Sequence, residues 1–310
     1  MVALALFAHS KQGVGKHASL YDALVCTMTT TQVSVQKRND YHQTGFVLAP
    51  GLFSAEETAC YREHYMEMRA AGTYPGDFAG IDPQSNDPLK KYPRLIHMHR
   101  WDPVSLAWLI DARLRAWMTS LLGQELYAVQ TMLYFKPPGA RGQALHQDQY
   151  YLKVQPGTCL AAWLTLDRSD EENGCLQVVP GSQTLPVLCA TKADTRQSFT
   201  DVTVPLPAGV QPVPVVMEAG DVLFFHGQLI HGSYPNTSPD RFRRAHPPLP
   251  PVHGGERGGA AGEAEQVAKF YHPALRMDGS EVCLGVSEGG GPCGVWVERE
   301  GATTVELRSQ

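Results

Sequence analysis

The sequence predicts a mainly β fold, a barrel or sandwich of short strands, with helices gathered ahead of it. Three observations predict this. From Leu126 onward, short apolar runs alternate with Gly, Pro, Asp and Asn: Leu126 to Phe135, Tyr150 to Val154, Leu160 to Leu166, Leu176 to Val179, Val213 to Met217 and Val222 to Phe225. Many short strands with such punctuation suit a barrel or sandwich. Before Gly123, by contrast, two segments carry helix signals. The 310 residues, 43% hydrophobic and 18% charged, form an ordinary globular composition, long enough to bury one sizeable core.

Taken in order, Val2 to Ala8 is apolar but lacks the basic flank and full length of a signal peptide. Gly13-Val14-Gly15-Lys16-His17 is not a phosphate loop, because the first glycine of that motif would fall at Ser10 and its last position is His17. Residues 1–40 are therefore expected to be a poorly structured extension, and 41–310 a single domain. Ser54-Ala55-Glu56-Glu57 is a capping box that starts a helix running to about Ala70 and stopping at Gly72. A long Gly-, Pro- and Asp-rich loop follows to Pro93, and a second helix is expected from Pro103 to Leu122, ended by Gly123. Residues 246–265, with Pro247-Pro248-Leu249-Pro250-Pro251 and a glycine run, read as an atypical loop unable to hold a central strand. Ala264 to Tyr271 reads as a short helix.

Net charge is −5 and the pI near 6.2, which leaves no basic footprint for nucleic acid or for an anionic membrane. No apolar run approaches the ~20 residues of a spanning helix. The seven cysteines form no CxxC pair, so neither a disulfide scaffold nor a thiolate zinc site is expected, and the reducing cytoplasm is the expected compartment.

The chemistry concentrates at His146-Gln147-Asp148. On a strand, residues two apart share a face, so an imidazole and a carboxylate would project together, two thirds of a 2-His-1-carboxylate iron site. With 12 histidines in the chain, such a pair also arises by chance roughly 0.6 times, so it needs company. A third ligand would come from Gly220 to Ser233, where His231 and His226 compete. Downstream, Asp240-Arg241-Phe242-Arg243-Arg244 offers guanidinium groups, whose planar fork suits a carboxylate.

Together these elements resemble the phytanoyl-CoA dioxygenase family of Fe(II)/2-oxoglutarate oxygenases. The resemblance covers Tyr41 to Ala245. It is carried by His146-Gln147-Asp148, Trp163, Glu172-Asn173-Gly174-Cys175-Leu176, Pro180-Gly181-Ser182, His231-Gly232-Ser233 and Asn236 through Phe242-Arg243-Arg244-Ala245. It implies a double-stranded β-helix, Fe(II) held by His146, Asp148 and His231, and 2-oxoglutarate as co-substrate. Arg243 would pair with the distal carboxylate, Ser233 would support it, and Trp163 would line the pocket. Tyr134, Gln130 and Lys136 are further candidates for co-substrate or substrate contact. The implied reaction hydroxylates a small molecule with O2, releasing succinate and CO2. Asp148 separates this reading from related halogenases, which carry a small residue there. The alternatives are a catalytically impaired scaffold that only binds, and a cupin-like metalloenzyme without 2-oxoglutarate, which would have no use for Arg243.

Two departures stand out. The family's arginine falls eleven residues after the distal histidine, where this chain has Phe242, so Arg243 fits only with one residue inserted in the preceding turn. After Ala245 the Pro/Gly stretch replaces an apolar strand. Asn236-Thr237-Ser238 is a formal glycosylation sequon, but Asn236 is expected to bond its own turn. His97-Met98-His99 supplies two possible ligands, too few for a metal site. Substrate identity and oligomeric state have no signature in the sequence.

Overall fold

Two antiparallel sheets face each other, and helices cover the outside of the larger one. The computed structural model describes residues 33–72, 81–124, 126–128, 130–152, 159–246 and 248–249, with short pieces at 275–276, 278–280, 296–299 and 303–306. The strands of these two sheets are β1 (Phe46–Ala49), β2 (Leu95–Ile96), β3 (Gln130–Lys136), β4 (Gln143–His146), β5 (Leu160–Thr165), β6 (Leu176–Val178), β7 (Val213–Val215), β8 (Val222–His226), β9 (His231–Ser233), β10 (Arg243–His246) and β11 (Pro248–Leu249). The larger sheet runs β1-β8-β5-β10-β3-β11, with β2 also paired to β3, and the smaller runs β7-β6-β9-β4. This is the expected double-stranded β-helix.

The larger sheet is buried on both faces, which explains its uninterrupted apolar runs. On β8, Leu223 and Phe225 point inward to meet Ala161 and Trp163 of β5 and Leu176 and Val178 of β6. Val222 and Phe224 point outward into the helical layer, where Trp117 stacks on Phe224 with ring centroids 5.1 Å apart and planes 3° from parallel.

That layer contains α1 (Val35–Thr44), α2 (Ala55–Ala71), α3 (Pro103–Leu109) and α4 (Ala112–Leu122). The capping box forms as expected: Ser54 Oγ accepts from Glu57 N–H, Glu57 accepts from Ser54 N–H, and Gly72 ends α2. Three expectations are corrected. Structure begins before residue 41, because Ser34 caps α1 by accepting from Lys37 N–H and Tyr41 on that helix is buried. The single helix expected over Pro103 to Leu122 is two, because Asp111 caps α4 by accepting from Arg113 N–H; aspartate favours a cap over a helix interior. The strand expected at Tyr150 to Val154 is instead a helical turn, α5 (Asp148–Leu152).

β10 forms between β3 and β5 and ends at His246, where the atypical segment begins, and Pro248–Leu249 pairs with Gln130 and Thr131 at the sheet edge, where a missing proline N–H is tolerated. The N-terminal apolar and glycine-rich runs, the rest of the 246–265 loop and the helix expected at Ala264 to Tyr271 lie outside the described residues. Among the described residues no helix is long and apolar enough to cross a membrane.

The turn into β8 depends on Gly220. Its φ is +96°, and a Cβ there would stand 2.2 Å from the Phe53 carbonyl oxygen. Its own carbonyl accepts from Phe53 N–H at 3.0 Å. Gly220→Ala is expected to lower unfolding free energy by about 2–3 kcal/mol, read from urea denaturation of the two proteins.

Candidate metal centre and co-substrate seat

The register of the smaller sheet creates the site. β9 runs antiparallel to β4 with His231 directly opposite His146. Their rings lie 4.2 Å apart between centroids. Asp148 joins them from the first residue of α5, so the expectation that His146 and Asp148 share one strand face is corrected. His146 ends β4, and the chain turns between the two, bringing Asp148 Oδ1 to 3.5 Å from His146 Nε2 and 3.7 Å from His231 Nε2. One ligand atom from each of the three lies within 4.8 Å of the others.

Hydrogen bonds aim the rings. His146 Nδ1 donates to the Ala144 carbonyl at 2.9 Å and His231 Nδ1 to the Leu229 carbonyl at 2.9 Å. A carbonyl can only accept, so each Nδ1 carries the proton and each Nε2 presents a lone pair to the centre. Burial, reinforced by the neighbouring His146, pushes the His231 imidazole down to about 4, which keeps it neutral and ligand-ready. Burial alone would raise the Asp148 carboxyl, but the flanking His231 and His146 rings outweigh it and hold the group below its usual range. Two neutral imidazoles and one carboxylate on one side of a point suit Fe(II) and leave the opposite side open.

Gln147, between the two ligands, is fully buried and faces away from the centre. Its Nε2 donates to the Gln228 carbonyl at 2.9 Å and its Oε1 accepts from Leu188 N–H at 2.8 Å. It thereby ties the ligand turn to the loop that delivers His231. Ser182 secures that loop from the other side, accepting from Ile230 N–H at 2.8 Å. His226 lies at the end of β8, where its Nδ1 accepts from Gln228 N–H at 3.0 Å, outside the cluster. The His97 and His99 pair gains no third ligand among the described residues, and His99 Nδ1 is bonded to Thr131 Oγ1 at 2.9 Å.

Beside the triad sits a cationic seat. Arg243 is 1% exposed, and its Nε and Nη1 have no hydrogen-bond partner among the described residues. Its guanidinium lies 5.3 Å from the Trp163 ring, which stacks on Tyr134 at 5.4 Å. Burial pushes Arg243 down to about 10, still charged at neutral pH. Arg244, on the other strand face, points out to Asp167, with Nη1 2.9 Å from Oδ1. The turn before Arg243 is closed by Asn236, whose Nδ2 donates to the Lys136 carbonyl at 2.9 Å and also to the Arg241 carbonyl. Asn236 is therefore buried inside its turn.

Ser233 stands two residues beyond His231, ~6–7 Å along the strand, a spacing that suits the two ends of a five-carbon diacid. A buried guanidinium without an acceptor fits a carboxylate supplied from outside. Gln130 lies on the same inward row of β3 as Tyr134, but roughly 13 Å farther along the strand, so strand spacing does not bring it to the seat. Sequence reasoning missed Gln143, whose Nε2 is 3.2 Å from His146 Nε2, and Phe225, whose ring is 4.6 Å from that of His231. No motif marks Gln143; Phe225 was legible only as a core residue.

The sequence profile of the family described as phytanoyl-CoA dioxygenase (PhyH) matches residues 41–245. Phytanoyl-CoA dioxygenase 1 of Oryza sativa subsp. japonica is 32% identical over 143 residues, 46% of this chain and 51% of that protein. The peroxisomal phytanoyl-CoA dioxygenase of Bos taurus is 28% identical over 258 residues, 77% of this chain and 75% of that protein. Among solved structures, the epimerase SnoN from nogalamycin biosynthesis, in complex with Fe3+, α-ketoglutarate and nogalamycin RO, superposes with a TM-score of 0.59 at 18% identity, covering 87% of this chain and 97% of that one.

Two outcomes are expected. His146→Ala, Asp148→Ala and His231→Ala each weaken anaerobic Fe(II) binding by more than about 100-fold, while His226→Ala leaves it unchanged, by calorimetric titration. The metal-free protein also loses stability as pH falls from about 6.5 to about 4, because the unfolded chain protonates His231 before the folded one does. The contribution is about 3 kcal/mol. His231→Gln should flatten that part of the curve in denaturation measured across pH.

Proposed function

Because the chain belongs to the phytanoyl-CoA dioxygenase family of Fe(II)/2-oxoglutarate oxygenases, we propose that it hydroxylates a small-molecule substrate, consuming O2 and 2-oxoglutarate and releasing succinate and CO2. Fe(II), when bound, would activate O2, the oxidant, for attack on a substrate C–H bond. The protein's share is binding, orientation and exclusion of water. His146, Asp148 and His231 occupy one side of the metal and keep the other for the co-substrate's keto-acid head and O2. Arg243 pairs with the distal carboxylate, and Ser233 adds a hydrogen bond to it. Trp163 and Tyr134 form the apolar wall that keeps water from this buried pair, which strengthens it.

The observation that carries this reading is the buried guanidinium of Arg243, whose Nε and Nη1 meet no acceptor among the described residues. A buried charge without a partner is costly, and a 2-oxoglutarate carboxylate supplies the partner. A cupin-like enzyme without 2-oxoglutarate would leave it unmatched. A binding scaffold without turnover would keep co-substrate affinity but release no succinate.

Succinate release is the direct assay. In the same protein, Arg243→Ala is expected to weaken 2-oxoglutarate binding by roughly two to three orders of magnitude. Arg244→Ala, which removes only the outward pair with Asp167, should change it little. Equal affinity in wild type and Arg243→Ala would remove Arg243 as the anchor.

A further inference from the structure

Lys136 is buried at the inner end of β3, 2% exposed, with its Cα directly across from Arg243. Its Nζ donates to Ser233 Oγ at 2.8 Å, to the Gly174 carbonyl at 3.4 Å and to the Tyr234 carbonyl. Gly174 makes the space: at φ +83°, a Cβ there would stand 2.6 Å from Lys136 Cδ and 2.6 Å from Tyr234 O. Among the described residues no carboxylate is within ion-pair reach of Lys136 or Arg243. Two cations are thus buried on facing strand positions, with no anion between them among the described residues.

Ser233 lies at their junction. Its Oγ accepts from Lys136 Nζ and, at 3.1 Å, from Gln143 N–H. Two donors fill both acceptor positions of a hydroxyl, which leaves its own proton to be given elsewhere. An ammonium has no acceptor position and cannot take that proton.

We propose that Lys136 is a positioning residue for the co-substrate: it holds the Ser233 hydroxyl as a donor toward the same distal carboxylate that Arg243 pairs with. The inference rests on the 2-oxoglutarate reading above. It extends that reading by making the selection of a dicarboxylic 2-oxo acid depend on a third group. Without the charge on Lys136, Nζ gains a lone pair that accepts from Ser233 and turns the hydroxyl away from the anion.

Burial, and then the neighbouring Arg243, pull the Lys136 ammonium well below the ordinary lysine range, with the Cys175 thiol opposing weakly. Tyr134, Cys175 and Asp167 act on Arg243 itself in the favourable direction. Gln143 of β4 and Ser233 of β9 bring no charge to the group. Lys136 therefore sheds its proton at lower pH than a free lysine, and the seat is complete only below that point. Affinity for the distal carboxylate falls as pH rises.

The test compares 2-oxoglutarate with 2-oxobutanoate, which has the same keto-acid head and no distal carboxylate. Anaerobic calorimetry on the full-length Fe(II)-loaded protein gives both affinities without turnover. Wild type should prefer 2-oxoglutarate, and the preference should shrink as pH rises toward the ordinary lysine range. Lys136→Met should lower 2-oxoglutarate affinity about tenfold or more and leave 2-oxobutanoate within about twofold. Lys136→Arg should restore the preference and remove its pH dependence. Lys136→Met should add little in a Ser233→Ala background. The pH slopes of wild type and Ser233→Ala need no change at Lys136, so they decide the matter even if Lys136→Met does not fold. A preference that survives Lys136→Met, a loss of both ligands alike, or a pH-independent wild type overturns the role of Lys136. A wild type that does not discriminate between the two acids overturns the 2-oxoglutarate reading itself.

Discussion

The register that sets His231 opposite His146 is the constraint on which the site depends. Antiparallel strands place side chains in facing pairs, and a slip of one residue turns every side chain to the other face. A slip between β4 and β9 would exchange His231 for a neighbour and carry Ser233 out of the seat as well. The chain guards this register with side chains that touch no ligand. Gln147 ties the metal-ligand turn to the loop before β9, and Ser182 holds the same loop from below. The middle residue of the His-x-Asp run is thus a structural brace, and the three ligands are borne on segments bonded to one another.

Parity organises the larger sheet in the same way. On β10, alternation sends Arg243 into the barrel and Arg244 out to Asp167, so neighbouring residues of one chemical type have unrelated roles. On β3 the inward row includes Tyr134 and Lys136, and on β5 it includes Trp163. The inner surface consequently has an aromatic wall with cations at one end and the imidazole–carboxylate cluster nearby. Asn236 closes the turn that leads into β10, and Arg243 stands in register with Lys136 of β3.

Much of this was legible in the sequence because it follows from short-range rules. The capping box at Ser54, the short strands and the identity of the His-Asp-His cluster all rest on residue type and local pattern. What was not legible depended on competition between neighbours. Asp111 reads as a residue inside a helix until its side chain is seen closing the next one. Asp148 reads as a strand residue two places from His146, yet it starts a helical turn, so the two reach the same point by a bend and not by pleating. Lys136 could be named as a candidate, but its three acceptors come from Gly174, Ser233 and Tyr234, distant in sequence and brought together only by the barrel.

The paired cations also bear on the life of the empty protein. Among the described residues no counter-anion meets Arg243 or Lys136, and burying an unpaired ion carries a desolvation cost of order several kcal/mol. A dicarboxylate that binds only the folded form returns part of it, and by mass action shifts the folding equilibrium as its concentration rises. On the proposed 2-oxoglutarate reading, a filled seat and resistance of the chain to unfolding therefore rise together.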